Sequence, residues 1–99
     1  MAQNLLTYSQ VTRLLLSNSE RLDQPVVTYY KGELHHIWAI MPTNTIPPEL
    51  AIDVTTNVEE AMNVRTFIEK LAYLYFDIGD LTFDLQIELE PEYVLIKDL

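Results

Sequence analysis

The chain has 99 residues, of which 48% are hydrophobic and 10% aromatic, and its net charge at pH 7 is −9. This length and composition predict a single globular domain over residues 1–99 and exclude a disordered chain. The negative charge argues against direct binding to nucleic acid or to anionic membranes, because both are themselves negative.

The residue types that the chain lacks exclude several kinds of functional site. The chain has no cysteine, which excludes disulfides, thiolate metal sites and a cysteine nucleophile. Its two glycines, Gly32 and Gly79, fit predicted turns and leave none for a phosphate-binding loop. We therefore expect no enzyme activity, no cofactor and no metal. The N-terminus lacks a signal-peptide pattern and the longest apolar run, 71–76, is too short for a membrane span, so we expect a cytoplasmic protein.

The first predicted element is a helix over about 8–22. Thr7 and Gln10 have the spacing of a capping box at its start. Apolar residues then recur at helical spacing, namely Val11, Leu14, Leu15 and Leu22. We expect the helix to weaken after Leu16, where small polar residues follow.

The next two strands, 26–31 and 33–41, are predicted to form a hairpin that turns at Lys31 and Gly32. One face of this hairpin collects Val27, Tyr29, Leu34, His36, Trp38 and Ile40. The other face holds Val26, Thr28, Tyr30, His35, Ile37, Ala39 and Met41. We assign the first face to the core. The second face is too apolar for water, so we predict a homodimer that associates through Tyr30, His35, Ile37 and Met41.

A loop over 42–49 and a strand over 50–55 precede the second helix, which is predicted to begin at Asn57. Two interpretations of its end stay open. Three-four spacing continues to Gly79, a plausible helix stop. Residues 73–78 also alternate, however, and would form a hairpin with the following strand. We favour a helix that ends near residue 72, followed by that hairpin.

From Asp80 to Tyr93 apolar and polar residues alternate without a break. This period of two is typical of an antiparallel strand with one buried and one solvated face. The predicted buried set includes Leu85, Ile87 and Leu89, and the predicted exposed set includes Glu88, Glu90 and Glu92. With a last strand over 93–96, the elements predict an α+β two-layer sandwich, an antiparallel sheet with two helices packed on it.

The acidic face of the C-terminal strand is the first candidate site, formed by Asp84, Glu88, Glu90 and Glu92. Residues 51–99 hold eleven acids and three bases, a net charge of −8. Alternate strand residues lie about 6.6–7 Å apart, too far for the convergent oxygens of a calcium or magnesium site. A spaced row suits an extended basic protein surface, and its alternative is a solvated face that opposes aggregation.

Two histidines are the remaining candidates. His35 and His36 are neighbours on a predicted strand, so they point to opposite faces and cannot easily share a metal ion. The predicted core face places His36 beside Trp38, whereas His35 is the better functional candidate.

These observations favour a non-catalytic protein-interaction domain of an adaptor, regulatory or chaperone-like kind. It would be a homodimer and would bind a basic protein through its acidic C-terminal sheet. The alternative is an acidic inhibitor, or nucleic-acid mimic, that blocks a basic nuclease or DNA-binding protein. A third hypothesis is a small ligand-binding protein or enzyme that uses His35 or His36 with Asp53.

Overall fold

The computed structural model describes residues 5–46, 48–79 and 82–98. Within these ranges it describes only the backbone at residues 5, 6, 82–84 and 98. The helices are α1 (Tyr8–Leu16) and α2 (Val64–Ile78). The strands are β1 (Leu5–Thr7), β2 (Val26–Tyr30), β3 (Glu33–Pro42), β4 (Leu50–Thr55), β5 (Thr82–Leu89) and β6 (Val94–Asp98).

The strands form one six-stranded sheet in the order β1-β5-β6-β2-β3-β4. Strand β2 runs parallel to β6 and the other neighbours are antiparallel, so the sheet is mixed. Both helices pack against one face of this sheet and share a single apolar cluster with it. The expected α+β fold of two layers is therefore confirmed, whereas the expectation of an antiparallel sheet is wrong at the parallel pair of β2 and β6.

Helix α1 begins with the predicted capping box. The Thr7 hydroxyl accepts a hydrogen bond from the Gln10 N–H at 3.1 Å, and the Gln10 side-chain oxygen accepts one from the Thr7 N–H at 2.9 Å. These reciprocal bonds satisfy two backbone donors that a helix start leaves free.

The end of α1 comes earlier than the predicted residue 22. Helix α1 ends at Leu16, and the side chains of Ser17 and Asn18 donate hydrogen bonds to carbonyls one turn back, at 2.8 and 2.9 Å. Such bonds compete with continuation of the helix. A short 3-10 turn, Ser19–Arg21, follows instead.

The β2–β3 hairpin has the predicted turn and register. Tyr30 pairs with Glu33, and Val27 pairs with His36. Lys31 and Gly32 both have positive φ, 52° and 81°, as a two-residue turn of the primed type requires.

The face of the hairpin that contacts the helices is the opposite of the predicted one up to residue 37. Val26 and Ile37 are fully buried beneath the helices, whereas Tyr29 and Leu34 are exposed on the other face. Both faces are apolar, so alternation alone could not choose between them. Pairing of Val26 with Val94 joins the Val26 side of the hairpin to the buried side of β6.

A β-bulge at Trp38 then exchanges the faces of β3. Ile37 pairs with Val54 and Ala39 pairs with Asp53, which leaves Trp38 as the extra residue. Beyond the bulge Ile40 joins the buried side. Strict alternation fails at this point because it assumes one residue for each position of the partner strand.

Helix α2 begins at Val64 rather than at Asn57. Asn57 caps only a 3-10 turn, Val58–Glu60, after which the chain becomes extended. In this extended segment Asn63 pairs with Pro25, just before β2, and the Met62 N–H donates to the Ile37 carbonyl at 2.8 Å.

The favoured hairpin of residues 73–78 is wrong, and the continuous helix is correct. Helix α2 runs to Ile78 and ends at Gly79, whose φ is 84° and whose N–H donates to the Tyr75 carbonyl at 2.8 Å. Its buried residues are Val64, Phe67, Leu71 and Leu74. Strand β5 pairs with β1 on one side and with β6 on the other, so its edges are already occupied. Asp80, the other residue of the expected turn, lies outside the described residues.

Candidate interaction surfaces

One face of the sheet is covered by neither described helix. We call the exposed large apolar side chains on its β2–β3 part the open-face patch, which consists of Tyr29, Leu34, Trp38 and Met41. Their exposed fractions are 54%, 45%, 47% and 42%. These side chains expose on the order of 350 Å² together, which is the size of the largest apolar patch on a typical monomer.

Beside this patch two apolar side chains are buried, and one carboxylate is paired with a lysine. Val27 and Leu95 pair across β2 and β6 and are buried on the open face, although the helices lie on the other side. On the neighbouring strands Lys97 Nζ lies 2.8 Å from Glu88 Oε1. Hydrogen bonding to the Glu88 carboxylate raises the pKa of Lys97. Among the described residues, Asp53 is the open-face carboxylate that lacks a basic partner.

The structure separates the four residues predicted for self-association. Ile37 is fully buried in the core, so it cannot contribute to a surface of this fold. Tyr30 and His35 lie together near the hairpin turn, with ring centroids 5.6 Å apart. Met41 is part of the open-face patch, because the bulge moves it to that side.

The predicted acidic row is not one continuous strand face. Strand β5 ends at Leu89, so Glu90 and Glu92 lie in the turn before β6. Glu88 is partly buried and paired with Lys97, whereas Glu92 is exposed. The Asp84 side chain lies outside the described part of the chain. The buried set of this strand is oriented as predicted, with Leu85 buried and Ile87 and Leu89 packed against the core.

A basic side chain also reaches the turn that carries two of these acids. Arg21 donates from Nη1 to the Glu90 carbonyl, and Gln24 donates to the Pro91 carbonyl at 2.9 Å. The acids at 88–92 are therefore interleaved with Lys97 and Arg21, which the strand pattern could not reveal.

The two histidines occupy opposite faces of β3, as predicted. His35 Nε2 lies 3.9 Å from Glu33 Oε2 near the hairpin turn. His36 pairs with Thr55 across β3 and β4, and its Nδ1 is buried without a hydrogen-bond partner among the described residues. No group of three or more histidine, aspartate or glutamate residues within the described chain could hold a metal ion.

The outer side of the helix layer carries a second apolar surface. A groove of about 640 Å³ runs between α1 and α2. We call it the helix groove. Among the residues that line it are Thr12, Arg13 and Leu16 of α1 and Ala72, Tyr75 and Phe76 of α2. Phe76 is 83% exposed, an unusual position for a phenylalanine on a helix that already has a buried face.

Tyr8 forms part of the wall of this groove and is almost fully buried. Its ring meets Tyr75 edge-on at a centroid distance of 6.4 Å. Burial raises the pKa of Tyr8 to about 12, because the phenolate would lose its hydration.

The sequence pattern of 64–78 predicts exposed aromatic side chains at the helix groove if this segment is a helix. The hairpin interpretation did not lead to that prediction. If 64–78 is one helix, its buried stripe already includes Leu71 and Leu74, so Tyr73 and Phe76 must fall outside that stripe. Exposed aromatics on a helix follow directly from the spacing once the end of α2 is known.

Comparison with protein-family models, with curated proteins and with solved structures found no match to this chain. Within the described residues, no helix has the length and apolar character needed to cross a membrane.

Proposed function

We propose that the chain is a non-catalytic protein-interaction domain that acts as a homodimer paired through the open-face patch. The observation that carries this proposal is the half-exposed set of large side chains on a sheet face that neither described helix covers. Uncovered apolar surface of this size on a small protein is often an interaction site.

The local charge of this face is compatible with a second copy as its occupant. Two chains of net charge −9 repel each other over most of their surfaces. The open-face patch itself contains no charged residue, and the nearby Glu88 is paired with Lys97. Two copies related by a twofold axis can therefore join these faces, and Asp53 is the unpaired carboxylate that the described part of this face brings to the contact. A standard interface buries about 800 Å² on each partner, so the patch would form its apolar centre.

The single tryptophan, Trp38, provides the test, because it lies within the patch. As the concentration rises from low to high micromolar, we expect the emission of Trp38 to shift to shorter wavelength. The mass from sedimentation should rise to that of a dimer over the same range. Leu34→Lys should weaken the dimer at least tenfold, because it places a charge within the interface.

A matched control is Tyr73→Lys, which introduces the same charge at an exposed position of α2. This variant should dimerise like the wild type. A monomer mass throughout, with an unchanged Trp38 spectrum, would refute the homodimer. Equal weakening by Leu34→Lys and Tyr73→Lys would refute the assignment of the face.

The proposal includes a protein partner with a basic surface, supported by the net charge of −9 and by the two acids of the β5–β6 turn, of which Glu92 is exposed and Glu90 partly buried. Because Glu88 is engaged by Lys97, Glu90 and Glu92 are the better acids to test. Affinity capture from native lysate at low and high salt identifies candidate partners. The Glu90→Gln, Glu92→Gln double variant should then slow association, whereas Glu69→Gln with Asp77→Asn removes equal charge from α2 and should not.

The alternative, an inhibitor that mimics nucleic acid, would need a regular array of free carboxylates. The interruption of the row at Leu89 and the pairing of Glu88 remove that array from the described part of β5. We therefore rank it below the interaction domain.

A further inference from the structure

We infer that the helix groove is a binding site for a small amphiphile with one carboxylate and an apolar tail. This site lies on the helix layer, away from the open-face patch, and the inference does not depend on the proposed homodimer.

The size and lining of the groove match those of small-molecule sites. Its volume of about 640 Å³ is within the range of about 300–1,000 Å³ that is usual for ligand pockets. Its α2 wall is apolar, formed by Leu71, Ala72, Tyr75 and Phe76. Its α1 wall carries most of the polar groups, which include the Thr12 hydroxyl and the Arg13 guanidinium. One wall is thus suited to a tail and the other to a polar head.

The local charge of the groove is opposite to that of the whole chain. The chain holds 15 acids and 6 bases, yet no residue that lines the groove within the described chain is acidic. Arg13 is the basic residue in the lining, and its guanidinium has no ion-pair partner among the described residues. A guanidinium binds a carboxylate with two parallel hydrogen bonds, so an anionic head satisfies a group that the fold leaves unpaired.

Exposed apolar side chains beside Arg13 bind the tail of the amphiphile. Leu16 is 53% exposed on the α1 side, and Phe76 is more exposed on the α2 side. A hydrocarbon tail laid between them removes apolar surface from water on both helices. A polar anion such as acetate would lack this contribution and should bind far more weakly.

The test uses decanoate, decanol and decyltrimethylammonium, which share a chain length and differ in head charge. Each is titrated into the labelled protein below its micelle concentration, and backbone amide shifts are recorded. We expect saturable one-to-one binding of decanoate, with shifts in α1 and α2 rather than in the hairpin. Decanol should bind several-fold more weakly, and the cation more weakly still.

Variants separate the head contact from the tail contact. Arg13→Gln should weaken decanoate about five- to tenfold and leave decanol unchanged. Lys70→Gln is the matched control, since it removes one positive charge from an exposed site outside the groove lining. Phe76→Ala should weaken decanoate and decanol alike.

Several results would overturn the inference. These are equal binding of the anion and the cation, shifts centred on the open-face patch, or equal effects of Arg13→Gln and Lys70→Gln. Loss of self-association in Phe76→Ala, with Leu34→Lys still dimeric, would instead identify a second copy as the occupant of the groove. If a variant fails to fold, the comparison of the three amphiphiles with the wild-type protein still tests whether the groove prefers an anionic head group.

Discussion

Ile37 and Trp38 are neighbours in the sequence but differ completely in environment. Ile37 is fully buried under the helix layer, whereas Trp38 is about half exposed at the bulge. A fully buried isoleucine fills space that the surrounding side chains cannot close, so its truncation leaves a cavity. A substitution at position 37 therefore tests the packing of the core, and one at position 38 tests the surface.

Ile37→Ala should lower the free energy of unfolding by roughly 2–5 kcal/mol, the range for large-to-small changes in a core. Met41→Ala should lower it by less than about 1 kcal/mol, because Met41 is 42% exposed. Urea unfolding of both variants at a concentration where the protein is monomeric measures the difference. If Met41→Ala costs more than Ile37→Ala, the assignment of the hairpin faces is incorrect.

Ionisation of Tyr8 makes the free energy of unfolding depend on pH in the alkaline range. Its pKa is about 12 in the folded chain and is ordinarily 10.0, so between these values only the unfolded state ionises readily. The contribution is therefore fully present below pH 10 and is lost as the pH rises through 12, at no more than about 1.4 kcal/mol per pH unit. Tyr8→Phe should flatten this part of the stability profile. A slope identical to that of the wild type in urea unfolding from pH 9 upward would contradict the burial of Tyr8.

At the scale of elements, helix α2 decides the architecture of the second half of the chain. Its buried stripe follows a three-four spacing, and Gly79 ends it with φ 84° and ψ −166°. That backbone region is essentially accessible only to glycine. The same helix presents Phe76 to solvent, and Phe76 together with Leu71, Ala72 and Tyr75 forms one wall of the helix groove.

Gly79→Ala should destabilise the protein by about 1–3 kcal/mol, through backbone strain alone. A Cβ atom at this position would meet no heavy atom within 4 Å, so steric overlap makes no contribution. Asp77→Ala, two residues earlier and exposed, is the control and should be nearly neutral. Chemical denaturation measures both. An unchanged stability in Gly79→Ala would mean that α2 does not end in this conformation.

At the scale of the whole molecule, the net charge of −9 opposes any contact between copies. Apolar contact at the open-face patch must outweigh this repulsion for a dimer to form. The two terms respond differently to salt, because screening weakens charge repulsion and leaves apolar burial nearly unchanged.

The proposed dimer should therefore tighten as salt is added. Between ionic strengths of about 0.01 M and 0.15 M the Debye length shortens from about 30 Å to about 8 Å, which screens most of the repulsion. The dissociation constant, from Trp38 emission or sedimentation, should fall over this range. A dissociation constant that rises with salt would indicate an interface held by ion pairs instead of apolar contact.

Local features of this protein could be predicted from the sequence. The capping box of Thr7 and Gln10, the hairpin turn at Lys31 and Gly32, and the inward side of β5 all depend on residues close together in the chain. Short-range hydrogen bonds and side-chain alternation fix such features wherever the segment is placed. The two-layer α+β class followed from the order of these elements.

Which apolar surfaces are buried depends on contacts between segments that are distant in the chain. The hairpin has two apolar faces, and the pairing of Val26 with Val94 selected the one that meets the helices. Residues 73–78 fit either a helix or a strand, and β1 and β6 occupy both edges of β5. Lys97 neutralises Glu88 from a neighbouring strand. In each case the outcome depends on a residue or strand outside the local segment. A local sequence pattern does not contain that information, so it could not predict the outcome.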